Sequence, residues 1–364
     1  MSIVDSSKLR YFYHSRMLQW LFLGGLSLLL VWAMNYFGIA AGWMLGPMIA
    51  GIVSAIIGIR IQIFKSGYQF SQAIVGCLIA QSLTIAIVKE MARDWELFLS
   101  IIIAVMILSW GLGWILAKSK VIPGQVAIWG TSPGAASAMV ILAKAYGADA
   151  RLVAFMQYLR VLLVVVMASL AASFAVSGQM AHHGLFAHWL DAPNWLNLFK
   201  TLALMSAGVI FANLVRIPAG SMIVPMILGA VLHLQGWLVI DLPQPLLVAS
   251  YVVIGWVIGL GFDRQTLKVS MHALPRVLLA NLILISLCGL LGLLVSHWFH
   301  IDMLSAYLAT SPGGANTVAI IALSTPVNVP FIMALQTARM LLVILLGPWI
   351  AKWLGRHIEV NSPE

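Results

Sequence analysis

Apolar runs of about 20 residues follow one another along nearly the whole chain, each long enough to cross a hydrocarbon core of about 30 Å as a helix. In lipid every backbone N–H and C=O must be satisfied internally, so such runs leave little choice but helical spans. Composition agrees: 62% of the 364 residues are hydrophobic and 9% are charged, against about 25% charged in soluble domains. No stretch reads as a soluble domain or a nucleotide-binding loop, so transport driven by on-chain ATP hydrolysis is not expected. The first run, Leu18 to Gly38, exceeds the roughly 7–15 apolar residues of a signal peptide and is read as a retained span. The net charge of +9 is attributed to Lys and Arg held in cytoplasmic loops rather than to a nucleic-acid partner. Cys77 and Cys288 lie inside apolar runs and are read as small packing residues.

The chain repeats itself. "AGWMLGPM" from Ala41 matches "AGSMIVPM" from Ala219 at an offset of 178, and "VGCLIA" from Val75 matches "IGWVIG" from Ile254 at 179. "GTSPGAASAMV" from Gly130 returns as "ATSPGGANTVA" from Ala309, and "MQYLRVLLVVV" from Met156 as "LQTARMLLVIL" from Leu335, both at 179. Spans are expected at 18–37, 39–59, 68–88, 97–117 and 152–174, with the TSPG segment at 124–147. The second set is 198–215, 219–236, 246–262, 277–297 and 331–351, with its TSPG segment at 304–323. The expected organisation is a cytoplasmic tail over 1–17, repeat 1 over 18–174, an extracytoplasmic linker over 175–197, repeat 2 over 198–355 and a cytoplasmic tail over 356–364.

Charge sorting decides how the repeats relate. If all six segments of each half cross, the 20 Lys and Arg residues fall 10 inside, 8 outside and 2 within spans, which is no bias. If each TSPG segment enters and returns to its own side, 15 lie inside, only Lys89, Arg93 and Lys200 lie outside, and Arg160 and Arg339 stay within spans. The expected fold is therefore an all-α polytopic membrane protein of two inverted repeats. Each has about five transmembrane helices plus a re-entrant or broken TSPG segment. A different non-crossing element in each half would give the same parity.

Pro133–Gly134 and Pro312–Gly313 break their helices, since proline removes a donor and disfavours helix in the residue before it. Broken backbone survives in a membrane where it is buried in protein or lines a cavity. Thr131, Ser132, Thr310 and Ser311 are expected to cap the half-helix that follows, whose free N–H groups attract anions. A kink that merely shapes packing is the alternative for either copy alone.

Arg160 and Arg339 lie about nine residues into their spans, roughly 13 Å deep, with Gln157 and Gln336 three residues earlier on the same face. All 11 acidic residues fall in loops, tails or span ends, so two deep arginines without a carboxylate fit an anionic or strongly polar solute. A structural clamp on the carbonyls of the broken helices is the alternative, and it is compatible with binding. The candidate substrate-binding set is Thr131, Ser132, Gly134, Gln157, Arg160, Thr310, Ser311, Gly313, Gln336 and Arg339. Gly42, Gly46, Gly255, Gly259 and Gly261 read as close helix packing. His182, His183, His188 and Asp191, and separately His297, His300 and Asp302, lack a recognised metal-ligand spacing and read as solvated loop. Ser132 and Ser311 have no nearby base that would make a hydrolase.

The segments "GADARLVAFMQYLRV", "LATSPGG", "GLGFD" and "LGPMIAG" resemble the AbrB family of bacterial inner-membrane proteins with a tandem duplication, over nearly the whole chain. The resemblance implies a multi-pass protein of the bacterial inner membrane. Family members are often described as regulators of gene expression or as ammonia monooxygenases, and no established catalytic residues carry over. A monooxygenase needs copper ligands, and none of the nine histidines lies deep in an expected span. The 17-residue N-terminal tail is too short for a helix-turn-helix, so direct nucleic-acid contact is not expected. The reading is a secondary transporter of a small anionic or polar metabolite, not an enzyme, with no cofactor and no metal. The alternative is a membrane-embedded regulator that acts indirectly. The expected partners are the solute and the lipid bilayer, and a homo-oligomer is left open.

Overall fold

The computed structural model describes residues 16–359, apart from 38, 40, 60, 86–88, 90, 91, 120, 121, 135, 176–193, 218, 263–270 and 272. The described residues form helices and no strands. The first half gives α1 (Arg16–Tyr36), α2 (Gly42–Ile57), α3 (Lys65–Ser82), α4 (Trp95–Lys118), α5 (Gly124–Thr131), α6 (Ala136–Ala145) and α7 (Ala150–Ala175). The second gives α8 (Trp195–Val215), α9 (Gly220–Leu234), α10 (Gln244–Leu260), α11 (Leu274–Phe299), α12 (Met303–Thr310), α13 (Ala315–Leu323) and α14 (Val329–Glu359). Every expected span is a helix within a few residues, and each TSPG segment is two short helices. The third span ends early, at Ser82, where the chain turns extended at Leu83.

Among the described residues six helices are long and apolar enough to cross a membrane: α1, α4, α8, α11, α7 over Ala150–Ala172 and α14 over Val329–Gly347. The chain is built as a membrane protein. Three shorter apolar helices, α2, α9 and α10, accompany them.

The repeated sequence repeats its local structure. Ala41 and Ala219 both adopt the left-handed conformation, at φ 57° and 55°, and each is followed by a glycine that starts a helix with an internal proline, Pro47 or Pro225. Left-handed backbone is unusual outside glycine, so its recurrence at one offset marks the same entry turn built twice.

The halves interlock through small residues. A Cβ on Gly76 of α3 would lie 2.5 Å from the Met222 carbonyl oxygen of α9, and one on Gly255 of α10 would lie 2.5 Å from that of Met44 of α2. Gly259 meets Met48 and Gly51 of α2 in the same way. Each Gly-rich helix of one half therefore lies against the proline-containing helix of the other. Contacts climb together along both pairs: Gly255 faces Met44 and Met48 while Gly259 faces Gly51 and Ile52; Gly76 faces Met222 and Met226 while Ala80 faces Gly229. Both pairs thus run parallel. Lipid offers little hydrophobic drive for such association, so close backbone approach supplies it through van der Waals contact. Gly42 and Gly46 pack on Met34 and Val31 of α1, and Gly261 on Tyr158, as the packing reading expected.

The helices fall into two groups. One contains α1–α3 and α8–α10; the other contains α4–α7 and α11–α14. The principal helix contacts between the groups are those of α3 with α13 and α14. The second group carries both TSPG segments and both deep arginines.

Gly259→Val should lower the thermal unfolding midpoint of the detergent-purified protein, by the equivalent of about 1–3 kcal/mol of overpacking. Gly25→Ala, where nothing lies within 4 Å, should leave it unchanged or raise it, since alanine is the better helix former. Equal midpoints for Gly259→Val and the native chain would contradict the interlocked packing.

Candidate functional site

Each broken segment is a hairpin. Asn328, just before α14, donates its N–H to Ser305 Oγ near the start of α12 at 2.7 Å, so the chain returns by Asn328 to the level at which it entered. In the first half Trp129 of α5 meets Tyr146, just beyond α6, with ring centroids 5.6 Å apart, which requires α6 to fold back along α5. The segment thus runs along α5 or α12, turns at the TSPG string and comes back along α6 or α13. Bonds from α7 to α5 and from α14 to α12 climb in register, so each long helix re-enters parallel to the first arm of its hairpin.

Proline dictates the chemistry at the tip. Ser132 and Ser311, each before a proline, sit at ψ 126° and 138°, the extended setting proline imposes on its predecessor. The last carbonyls of α5 and α12 then have no intrahelical donor. Gln157 Nε2 donates to Trp129 O at 2.7 Å and Ser132 O at 3.1 Å. Arg160 Nη1 donates to Ser132 O at 2.7 Å and Thr131 O at 3.2 Å, and Nη2 to Gly134 O at 3.5 Å and Gln157 Oε1 at 2.7 Å. The second half repeats this. Gln336 Nε2 donates to Leu308 O at 2.7 Å and Ser311 O at 3.3 Å. Arg339 Nη1 donates to Ser311 O at 2.7 Å, and Nη2 to Gly313 O at 3.0 Å and to Gln336 Oε1. All four side chains are buried, with at most 3% exposure.

In the second half the structure corrects the capping expectation, and in both halves the hydroxyls donate backward. Thr131 Oγ1 donates to Ala127 O and Ser132 Oγ to Ile128 O, at 2.9 and 2.7 Å. Thr310 Oγ1 donates to Ala306 O and Ser311 Oγ to Leu308 O, at 3.0 and 2.9 Å. These hydroxyls donate to carbonyls three or four residues earlier in the helix that ends, the two serines sharing acceptors already bonded by Ser132 N and Gln336 Nε2. Helix α13 starts at Gly314 with no side-chain cap.

The tips also meet the other half. Gly134 approaches Val343 of α14, and Gly313 approaches Val164 of α7; a Cβ at either glycine would lie 3.2 or 2.8 Å from the valine methyl. These contacts are exchanged at one offset, 179 for both the glycines and the valines. No Asp or Glu is among the buried polar residues described. The opposing charge comes from the C-terminal ends of α5 and α12, roughly half an elementary charge each.

Several residues at the site were not singled out from the sequence. Trp110 Nε1 donates to Ser132 Oγ at 3.0 Å. Gly113 and Gly292 let α4 and α11 close against Thr131 and Thr310, and their offset of 179 was there to be found. Cys288, read from the sequence as a packing residue, also accepts at its carbonyl from Thr310 Oγ1 at 2.9 Å. Trp110 has no repeat counterpart, since residue 289 is glycine, so duplication could not flag it.

Among the described residues no group of three His, Cys, Asp or Glu is placed to hold a metal. Asp302 instead caps α12 through Ser305 N at 2.8 Å. His182, His183, His188 and Asp191 lie outside the described residues.

The family model described as "Transition state regulatory protein AbrB" matches residues 43–355. A protein of Escherichia coli (strain K12) named "Putative regulator AbrB" is 41% identical over 345 residues, covering 95% of this chain and 99% of that protein. A Bacillus subtilis (strain 168) protein, "Uncharacterized protein YhjN", is 25% identical over 342 residues, covering 85% and 86%. No solved structure matches the chain.

Arg339→Met removes donors from Ser311 O, Gly313 O and Gln336 Oε1 and should cost about 3–5 kcal/mol in chemical unfolding in mixed micelles. Gln336→Met should cost about 1–3 kcal/mol. Gln69→Met, which breaks only the exposed pair with Asn213, should stay within about 0.5 kcal/mol of the native chain. No loss in Arg339→Met would mean that the carbonyls find other donors.

Proposed function

The chain belongs to the AbrB family, and from that premise we propose that it is a secondary transporter of a small anionic or polar metabolite. The supporting observation is the pair of hairpins whose tips, buried and locked by Gln-x-x-Arg, each lie against the re-entering helix of the other half. Paired discontinuous elements at a repeat interface are a common way to build a solute site near the bilayer midplane. In this reading the site comprises Thr131, Ser132, Gly134, Gln157 and Arg160 with Thr310, Ser311, Gly313, Gln336 and Arg339. Two guanidinium charges against two helix ends of roughly half a charge each leave a net positive interior, which favours an anion.

Two lines support inverted repeats. The first is the 15-to-3 sorting of Lys and Arg. The second is helix direction. Residues 58–64 join α2 to α3, contain Arg60 and precede Lys65. Such a link does not cross hydrocarbon, so α2 and α3 are antiparallel. Since α9 runs parallel to α3, it opposes α2, its own repeat counterpart. The hairpins then dip in from opposite faces, the first from the cytoplasm, and both termini are cytoplasmic in the bacterial inner membrane. Alternating access follows as movement of the hairpin-bearing helix group against the other across the contact of α3 with α13 and α14.

The reading needs no covalent chemistry and no cofactor. The E. coli relative's name speaks of regulation; here an effect on gene expression would follow from the solute moved rather than from contact with DNA.

The test is uptake into proteoliposomes holding the purified full chain, with labelled monocarboxylates, dicarboxylates and amino acids. Saturable uptake of one class is expected, reduced at least tenfold in Arg160→Lys and Arg339→Lys variants that still elute as folded protein. No protein-dependent flux, or equal flux in all three proteins, would overturn the site.

A further inference from the structure

Three buried donors near the hairpin tips have no partner: Arg160 Nε, Arg339 Nε and Ser109 Oγ. Their residues are 0%, 3% and 0% exposed. Buried polar groups are nearly always bonded, so three orphans in one region call for an explanation.

Their placement is set by the hairpins. Helix α4 runs antiparallel to α5, with Gly113 facing Thr131, Ala127 and Ile128 and Trp110 reaching Ser132. Ser109, next to Trp110 and one turn before Gly113, therefore stands at the tip, where Arg160 donates to Ser132 O. Its repeat counterpart at an offset of 179 is Cys288, whose carbonyl accepts from Thr310 at the other tip. Gly134, whose carbonyl accepts from Arg160, lies against Val343, one turn beyond Arg339, and Gly313, whose carbonyl accepts from Arg339, lies against Val164, one turn beyond Arg160. Each arginine thus stands within about a turn of the other half's tip, with the α4 and α11 positions beside them.

We propose that Arg160 Nε, Arg339 Nε and Ser109 Oγ form an occluded site for a compact monoanionic acceptor, either a halide or a carboxylate group. This rests on the transporter reading for the site's role and narrows its ligand. All three groups donate, so the ligand accepts. At each tip one helix ends with about half a negative charge and the next begins with about half a positive charge, so the two guanidinium groups keep their net positive charge. Three single donors match one compact acceptor group rather than the two separated carboxylates of a dianion, so a monoanion is the expected ligand.

The experiment titrates the detergent-purified full chain with sodium chloride, formate, acetate and succinate, at ionic strength held constant with sodium sulfate. Thermal midpoint and tryptophan fluorescence are followed, the latter because Trp110 and Trp129 flank the tip. A saturable rise in midpoint with at least one monoanion is expected. Ser109→Ala, which leaves the carbonyl clamp intact, should weaken that anion's Kd about tenfold. Ser54→Ala, another buried unpartnered hydroxyl but in the other helix group, should leave it unchanged. Saturation by chloride alone assigns a halide, and saturation by formate or acetate assigns a carboxylate. No saturable effect of any monoanion, equal binding of succinate, or an unchanged Kd in Ser109→Ala would overturn the proposal. Flux of a neutral solute without monoanion binding would sink this site and spare the transporter; monoanion binding without any flux would do the reverse.

Discussion

A helix that stops inside a membrane leaves up to four carbonyls with no donor, and no water to supply one. This chain creates that problem twice, at Ser132–Pro133 and Ser311–Pro312, and solves it the same way each time. A glutamine and an arginine one turn apart on the following long helix donate to the stranded carbonyls and to each other. Without that clamp the hairpin tips could not stay buried, and the contacts of Gly134 with α14 and Gly313 with α7 would be lost with them.

The clamp changes the meaning of the intramembrane arginines. Their terminal nitrogens are largely committed to backbone, which is the structural alternative weighed from the sequence. The commitment is partial: Nε of each is buried and unpartnered, and half-charges at two helix ends do not balance two full charges. One residue thus both holds the broken backbone and leaves positive potential beside it. The small-residue seams of α2 with α10 and α3 with α9 do a different job, tying the first helices of each half to those of the other while the hairpins gather in the second group.

Much of this was legible in the sequence, for identifiable reasons. Apolar runs fix helices in lipid, proline fixes the breaks, and the offset of 178 to 179 fixes which elements correspond. The proximity of Gln157 and Arg160 followed from helical spacing. The direction in which Thr131 and Ser132 bond did not, because capping forward and bonding back use the same residue types. Ser109 and Trp110 were invisible because an isolated serine or tryptophan in an apolar run carries no periodic signal. The exchange of Gly-rich and proline-containing helices between halves is a tertiary choice that no local pattern encodes.

The central claim is that the two hairpins return to the faces they enter from, and that those faces are opposite. Single cysteines at Lys144, Met303 and Ser324, all exposed, can be placed in a chain with Cys77 and Cys288 replaced. Labelling with a membrane-impermeant maleimide in right-side-out and inverted vesicles then reads their sides. Positions 303 and 324 should label together from outside, and position 144 from the cytoplasmic side. Opposite sides for 303 and 324 would refute the hairpin, and a common side for all three would refute the inversion.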